Sequence, residues 1–356
     1  MNMESDHYKL LDIIKLIAAY MVIGLHVRPL LAVSTIADHI YNSDIANYVV
    51  PFFYACTGFF LVKSDSKYES LQIKLKKKLA KTTKSYLLWT ALYFPLTVYG
   101  WKIGGKSIGY NVLQFIRNVL FVGENYYSWT LWYLNGLIFA LLLIYFGSKK
   151  HTIKQMFCGS ILLYIIGLVL QTVNSQGQGT TYIISRAVRV YFTLFCSTRN
   201  GLFRLFAFIM VGMMIGERVQ QGKLQINVLH KMLALAMYAF KIMLSAFWDG
   251  TIQDAVCQML DLPTTYVLFA LIIKQSSRIC PINNKTALFI RSLSGNIYYV
   301  HMYFVALCAL LLMGEDAYHN FFSFLIVSFF STIVGTGMVF IKNRYCHTAA
   351  ACKILS

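Results

Sequence analysis

Apolar residues recur along this 356-residue chain in blocks near 20 residues long, about the length a helix needs to cross the hydrocarbon of a bilayer. The pattern predicts helical spans near 9–32, 46–62, 80–100, 128–146, 153–171, 201–217, 231–248, 256–273, 292–313 and 320–341. Asp261 and Pro263 interrupt the eighth. A stretch at 180–197, with tyrosine and arginine among its residues, has two readings: an eleventh span, or an amphipathic helix on the membrane surface. No polar block between the apolar ones is long enough to fold alone. The expected architecture is an all-α polytopic bundle of about ten spans, a single domain over 1–345 with a short cytoplasmic tail at 346–356. The first block resembles a secretory leader in position only. It holds Asp12 and Lys15, runs past His26 and lacks a small-x-small cleavage site, so it is read as a span.

Composition narrows the class further. Hydrophobic residues make up 58% and charged residues 13%, with a mean hydropathy of +0.58, against about 25% charged in a soluble domain. Soluble enzymes, disordered chains and secreted disulfide scaffolds are excluded. The net charge of +18 would suggest a nucleic-acid partner in a soluble protein. Here the basic residues flank the spans, which points to the lipid bilayer instead. Lys63, Lys67, Lys74, Lys76, Lys77, Lys78, Lys81 and Lys84 follow the second span. Placing that loop inside also brings in Lys149, Lys150, Lys154, Arg218, Lys223, Lys231, Lys274, Arg278, Lys285 and Arg291. Asp38, Asp44, Asp249, Asp254, Glu315 and Asp316 fall outside. Ten spans with both termini cytoplasmic satisfy the charge bias at every loop, whereas an eleventh would carry Arg218 and Lys223 outward. The eight cysteines contain no C-x-x-C and read as small hydrophobes, so neither a metal site nor a disulfide is expected.

Ionisable residues inside spans are costly and so mark candidate chemistry. Lys15 and His26 are 11 residues apart, only about 20° beyond three helical turns. Asp12 lies close to the same stripe, at i, i+3 from Lys15, where the two can neutralise each other. Lys15 also has the reading of a side chain snorkelling to the interface. His26 stands in the outer half of its span. A lone histidine there is usually a structural hydrogen-bonder, but His301 adds a second imidazole in the hydroxyl-rich run Ser294-Gly295-Asn296-Ile297-Tyr298-Tyr299-Val300-His301. Two such groups suit proton handling near neutral pH.

These residues resemble acyltransferase family 3, a family of membrane-bound acyltransferases. Its first-span pattern, Arg or Lys-x10-His, is matched by Lys15 and His26. Its second-span pattern is matched by Val50-Pro51-Phe52-Phe53 with Thr57-Gly58-Phe59. Leu131-Trp132-Tyr133-Leu134 matches its fourth-span element, and Ile297-Tyr298-Tyr299-Val300-His301 its late element. Within the family, Ser197-Thr198-Arg199-Asn200-Gly201-Leu202-Phe203 and Leu25-His26-Val27-Arg28-Pro29-Leu30 resemble the membrane half of the vancomycin-resistance serine racemases. With no racemase domain before Ser356, racemase chemistry is not expected. Three positions depart from the family pattern: Thr57 stands for serine, Thr130 for a frequent histidine, and Lys15 for arginine, which loses the bidentate fork.

The resemblance implies an O-acyltransferase that takes an acyl group, acetyl in the simplest case, from cytoplasmic acyl-CoA. The group passes to a hydroxyl on a cell-surface or other extracytoplasmic carbohydrate-type acceptor, in the inner membrane of a bacterium. Acyl-CoA (acetyl-CoA) is then a donor substrate, and no metal is implied. In that reading His26 is general base or transient acyl carrier, with His301 and Asp12 completing the catalytic set. Lys15, Lys76 and Lys77 attract the polyanionic donor. Trp132, Tyr133, Tyr298, Arg199 and Asn200 bind or orient the acceptor. Trp132 and Tyr133 also have the reading of interfacial belt residues, Arg199 that of an anchor, and the lysine run that of a topogenic loop. The competing functions are a carrier for a serine-like amino acid, with Arg199 on its carboxylate, and a non-catalytic scaffold.

Overall fold

The computed structural model describes residues 8–63, 70–176, 182–247, 250–276, 282–312 and 317–345. Among these residues every regular element is helical. The helices are α1 (Lys9–Val27), α2 (Thr35–Lys63), α3 (Leu71–Gly104), α4 (Ile108–Val122), α5 (Trp129–Gly147) and α6 (Ile153–Gln176), then α7 (Tyr182–Phe195), α8 (Leu205–Gln220), α9 (Val228–Phe247), α10 (Thr251–Ser276), α11 (Asn284–Leu311) and α12 (Phe321–Tyr345). Eight of them, α1, α2, α5, α6, α9, α10, α11 and α12, are long and apolar enough to cross a membrane. The protein is a polytopic helical membrane protein. Expectations for Lys67, Asp249, Arg278, Glu315, Asp316, Cys280, Cys346, Cys352 and the tail at 346–356 lie outside the described residues.

The two remaining expected spans take particular forms. The stretch 80–100 is the second half of α3, where Tyr86, Trp89, Tyr93 and Tyr99 replace aliphatic side chains. With 34 residues, α3 is about 51 Å long, well beyond a hydrocarbon layer of about 30 Å, so its lysine-rich first half extends past it. The stretch 201–217 contracts to the 16-residue α8, whose residues from Leu205 to Met213 are all buried. A helix apolar on every side belongs inside the protein. Helix α7 has 14 residues, a rise of about 21 Å, too short to span and suited to the membrane surface. The first span ends at Val27, short of residue 32: Arg28 turns left-handed at φ 51, and Pro29 disfavours helix at the residue before it. The second span starts early, at Thr35, and passes through a π segment at Ile40–Ile45 before regular α geometry resumes at Val49.

The chain forms two compact units, residues 1–49 with 271–356 and residues 50–270. In the first, α11 packs along both α1 and α12. Asp12 meets Arg291 and His26 meets His301, so α1 and α11 run parallel. Asn296 meets Gly335 and Phe304 meets Phe330, so α12 runs antiparallel to α11. The start of α1 and the end of α12 therefore share one face of this unit, together with Lys9, Lys15, Lys285, Arg291, Lys342 and Arg344.

The second unit is built around α8. A Cβ on Gly58 of α2 would run into the Ile209 carbonyl oxygen, and one on Gly212 of α8 into that of Ala55. The paired glycines let two backbones touch, as small residues do in membrane helix pairs. The Thr57 hydroxyl donates to the Phe53 carbonyl at 3.2 Å. The Thr57-Gly58 pair is thus used for packing.

Candidate active site

In the first unit the imidazole rings of His26 and His301 lie 5.5 Å apart, centroid to centroid. His301 is fully buried, whereas His26 keeps partial exposure at the end of α1. The ring nitrogen Nδ1 of His301 is 3.1 Å from the Ile297 carbonyl one turn back. A carbonyl only accepts, so Nδ1 carries the proton and Nε2 keeps its lone pair. Nε2 is buried with no hydrogen-bond partner, which makes it a base pointed into the protein interior. The Tyr298 ring stands 6.1 Å from that of His301.

Asp12 lies 14 residues before His26, about 21 Å along α1. It is fully buried. Arg291 grips it with a bidentate fork, Nε to Oδ1 at 3.0 Å and Nη2 to Oδ2 at 2.8 Å. Lys15 Nζ is farther, 3.6 Å from Oδ1. The expected Asp12–Lys15 neutralisation is therefore secondary. Two cations thus share one carboxylate.

The far end of α1 is clamped by residues that the sequence reading did not assign to the site. Arg28 donates twice to buried Asp38, at 3.0 and 2.6 Å, and Asn42 donates to the same carboxylate at 2.9 Å. His319 Nδ1 donates to the carbonyl of Val27 at 3.0 Å. That carbonyl follows His26 directly, so His319 helps fix where the His26 backbone ends. No period in the sequence marks His319. Arg291 had a weak signal, since buried Asp12 needs a cation.

The second unit gathers the other candidates. Arg199 Cζ lies 5.7 Å from the Trp132 ring centre, a cation–π contact. Arg199 and Glu124 both keep exposed surface. Burial raises the Glu124 carboxyl above its usual range, opposed by the Arg199 charge. Burial, with Arg204 nearby, lowers Arg199 to about 10, still cationic at neutral pH. Tyr133 packs on Tyr54 with ring centres 4.5 Å apart and accepts its hydroxyl proton through the backbone carbonyl at 2.6 Å. Asn200 donates to the Tyr191 hydroxyl and the Ser197 carbonyl, while its own oxygen accepts from the backbone of Leu202 and Phe203. Its amide is committed to the loop. Lys76 and Lys77 are exposed on α3.

An acyltransferase-domain family model matches residues 8–340. The chain belongs to acyltransferase family 3. The match runs from the start of α1 into α12, so this acyltransferase domain includes residues of both units. Among curated proteins it is similar to an amino-acid racemase of Enterococcus faecalis, 27% identical over 76% of this chain and 36% of the relative. It is also similar to a serine/alanine racemase of Enterococcus gallinarum, 28% identical over 63% of this chain and 31% of the relative. The chain thus spans about a third of the length of the curated relatives it matches. No solved structure matches it significantly.

Proposed function

We propose that this protein moves an acyl group, acetyl in the simplest case, from cytoplasmic acyl-CoA to a hydroxyl of an extracytoplasmic carbohydrate-type acceptor, in a bacterial plasma membrane. The observation that carries the reading is the His26–His301 pair, 5.5 Å apart within membrane-crossing helices. One imidazole removes the acceptor's hydroxyl proton as the oxygen attacks the thioester carbonyl. The C–S bond breaks, the C–O bond forms, and CoA leaves as the thiol with the proton that the imidazole received. A transient acyl-His26 would divide the same balance into two steps. Lys15 and Arg291, beside Asp12, suit the donor's phosphates, as do Lys76 and Lys77. Trp132, Tyr133, Arg199 and Asn200 frame an acceptor site, Asn200 through the loop it holds, and Tyr298 orients the reacting hydroxyl.

The test is CoA release by purified protein in liposomes, with labelled acetyl-CoA on the lysine-rich side and mixed glycans on the other. Release by wild type that disappears in His26→Ala is expected. No release from folded wild type would overturn the proposal. A second reading, a carrier for a small amino acid, is favoured by the names of the racemase relatives. It predicts serine flux without CoA, lost in Arg199→Ala.

His319 enters this chemistry as a positioning residue. His319→Phe removes the donor to Val27 and is expected to lower kcat about ten-fold or more through displacement of His26, with the donor KM unchanged. His319→Gln, which retains a donor, is expected to recover most of the rate. Steady-state kinetics of the two variants checks this, and equal rates would make His319 irrelevant to the site.

A further inference from the structure

One end of the second unit carries cations that, Arg199 apart, have no part in the transfer chemistry. Segments 101–132 and 182–203 hold Lys102, Lys106, Arg117, Arg186, Arg189 and Arg199 against one carboxylate, Glu124. Side-chain contacts draw these segments together. Trp101 at the end of α3 packs on Phe115 of α4 with ring centres 6.0 Å apart. Arg117 of α4 donates to the Thr193 carbonyl of α7 at 3.1 Å, and Phe121 meets Phe195 at 5.4 Å. Tyr191 of α7 packs on Phe203 at 5.5 Å. The loop between them lays Arg199 5.7 Å from the ring centre of Trp132, at the start of α5. Arg117 is the stitch between α4 and α7, and the other five cations are exposed. Among the described residues no carboxylate lies within ion-pair distance of any of the six.

Helix α5 crosses the membrane, and Lys149 and Lys150 follow its far end. The six cations gather at its start, on the opposite membrane face, which flanking-charge bias should leave poor in lysine and arginine. Topology does not account for them. We propose that this end of the unit binds a polyanionic carbohydrate chain, one whose repeating sugars carry carboxylate or phosphate groups. Helix α4 separates water from lipid there. Val112, Ile116 and Leu120 are exposed along one stripe, and Tyr110, Gln114 and Arg117 form a second stripe about 125° round the helix. The first stripe suits lipid. On the second, Gln114 donates to the Tyr110 hydroxyl at 2.7 Å and Lys106 Nζ does so at 3.3 Å. Lys106 is thus held on the side turned away from the apolar stripe, which favours a water-borne anion over a lipid headgroup. The rings of Tyr110 and Tyr126, 43% and 40% exposed, offer flat faces to sugar rings while the cations take the anions. The cations spread along a helix about 22 Å long, more than one monosaccharide covers and suited to a chain of several. That this chain is the acyl acceptor rests on the acyl-transfer reading. The binding surface itself does not.

The test uses the purified full chain in phosphatidylcholine nanodiscs, which leave both membrane faces accessible. Binding of fluorescent polygalacturonate is followed by thermophoresis, with neutral dextran and sugar-free polyacrylate as comparisons. Polygalacturonate is expected to bind where dextran does not, with an affinity that falls as salt is added. The triple variant Lys106→Gln, Arg186→Gln, Arg189→Gln is expected to weaken that binding at least ten-fold. Lys149→Gln with Lys150→Gln removes charge from the opposite face and is expected to change it less than two-fold. Tyr110→Ala is expected to weaken polygalacturonate about five-fold and to leave polyacrylate unchanged, and equal losses would overturn the sugar assignment. No binding above dextran by folded protein would overturn the surface, as would equal losses in the two charge variants. A triple variant that keeps polymer binding but loses co-purified phosphatidylglycerol would assign the cations to lipid headgroups and overturn it too. In the CoA-release assay polygalacturonate is expected to raise turnover above dextran, a gain that the triple variant loses. No such gain overturns the acceptor assignment alone. The binding readouts need no acyl transfer, so failure here and failure of the acyl-transfer reading are separable.

Discussion

Asp261→Asn is expected to lower the thermal midpoint of the detergent-solubilised protein on the order of 10 °C. The carboxylate is fully buried and lies 2.7–2.8 Å from two cations. An asparagine of the same shape keeps the packing and removes the charge, taking from buried Arg204 and Lys241 the carboxylate they share. Breaking a buried ion pair from one side costs about 3–5 kcal/mol, against a total stability of about 5–15 kcal/mol for folded domains in general. The double variant Asp261→Asn, Lys241→Met returns the cluster to its original net charge and is expected to regain much of the loss, because neighbouring sites are not additive. A single variant within 2 °C of wild type, on the order of half a kcal/mol, would show that the cluster is solvated and that its burial means little.

This cluster also marks where sequence reading stops. Apolar period alone locates the membrane-crossing helices, because a helix in lipid must satisfy its own backbone and advertises itself by length. Asp261 registers in that pattern only as an interruption of the eighth span, and Lys241 as one polar position in the seventh. Their pairing, 20 residues apart in sequence, is a tertiary fact. Arg291 is similar: flanking-charge logic reads it as a loop cation, whereas it is the fork that holds Asp12, 279 residues away. The two histidines were legible as a pair of rare intramembrane imidazoles, but not their 5.5 Å approach. The end of α1 was mislaid because hydrophobicity continues past Arg28, although Pro29 carried the stop signal. The lysines of α3 looked like a loop and instead prolong a helix, since alternating lysine and leucine favour helix as readily as apolar residues do.

Variants of the two histidines carry the largest expected effects on activity. His301→Phe preserves ring volume in a fully buried site and removes both nitrogens. It is expected to lower kcat by about 10²–10⁴, the usual contribution of a positioned acid or base, with the donor KM within about two-fold of wild type. His301→Asn loses volume but keeps a polar group within reach of the Ile297 carbonyl and the interior, and is expected to retain more rate than His301→Phe. If His301 served packing alone the order would reverse, because phenylalanine fills the space and a buried asparagine leaves a void and unpaired polar atoms. His26→Ala is expected to lose at least as much rate, and the double variant to be no slower than the worse single one, since groups acting as one unit do not lose rate additively. Additive losses from the two variants would assign His26 and His301 to independent tasks and dissolve the pair as the reacting centre.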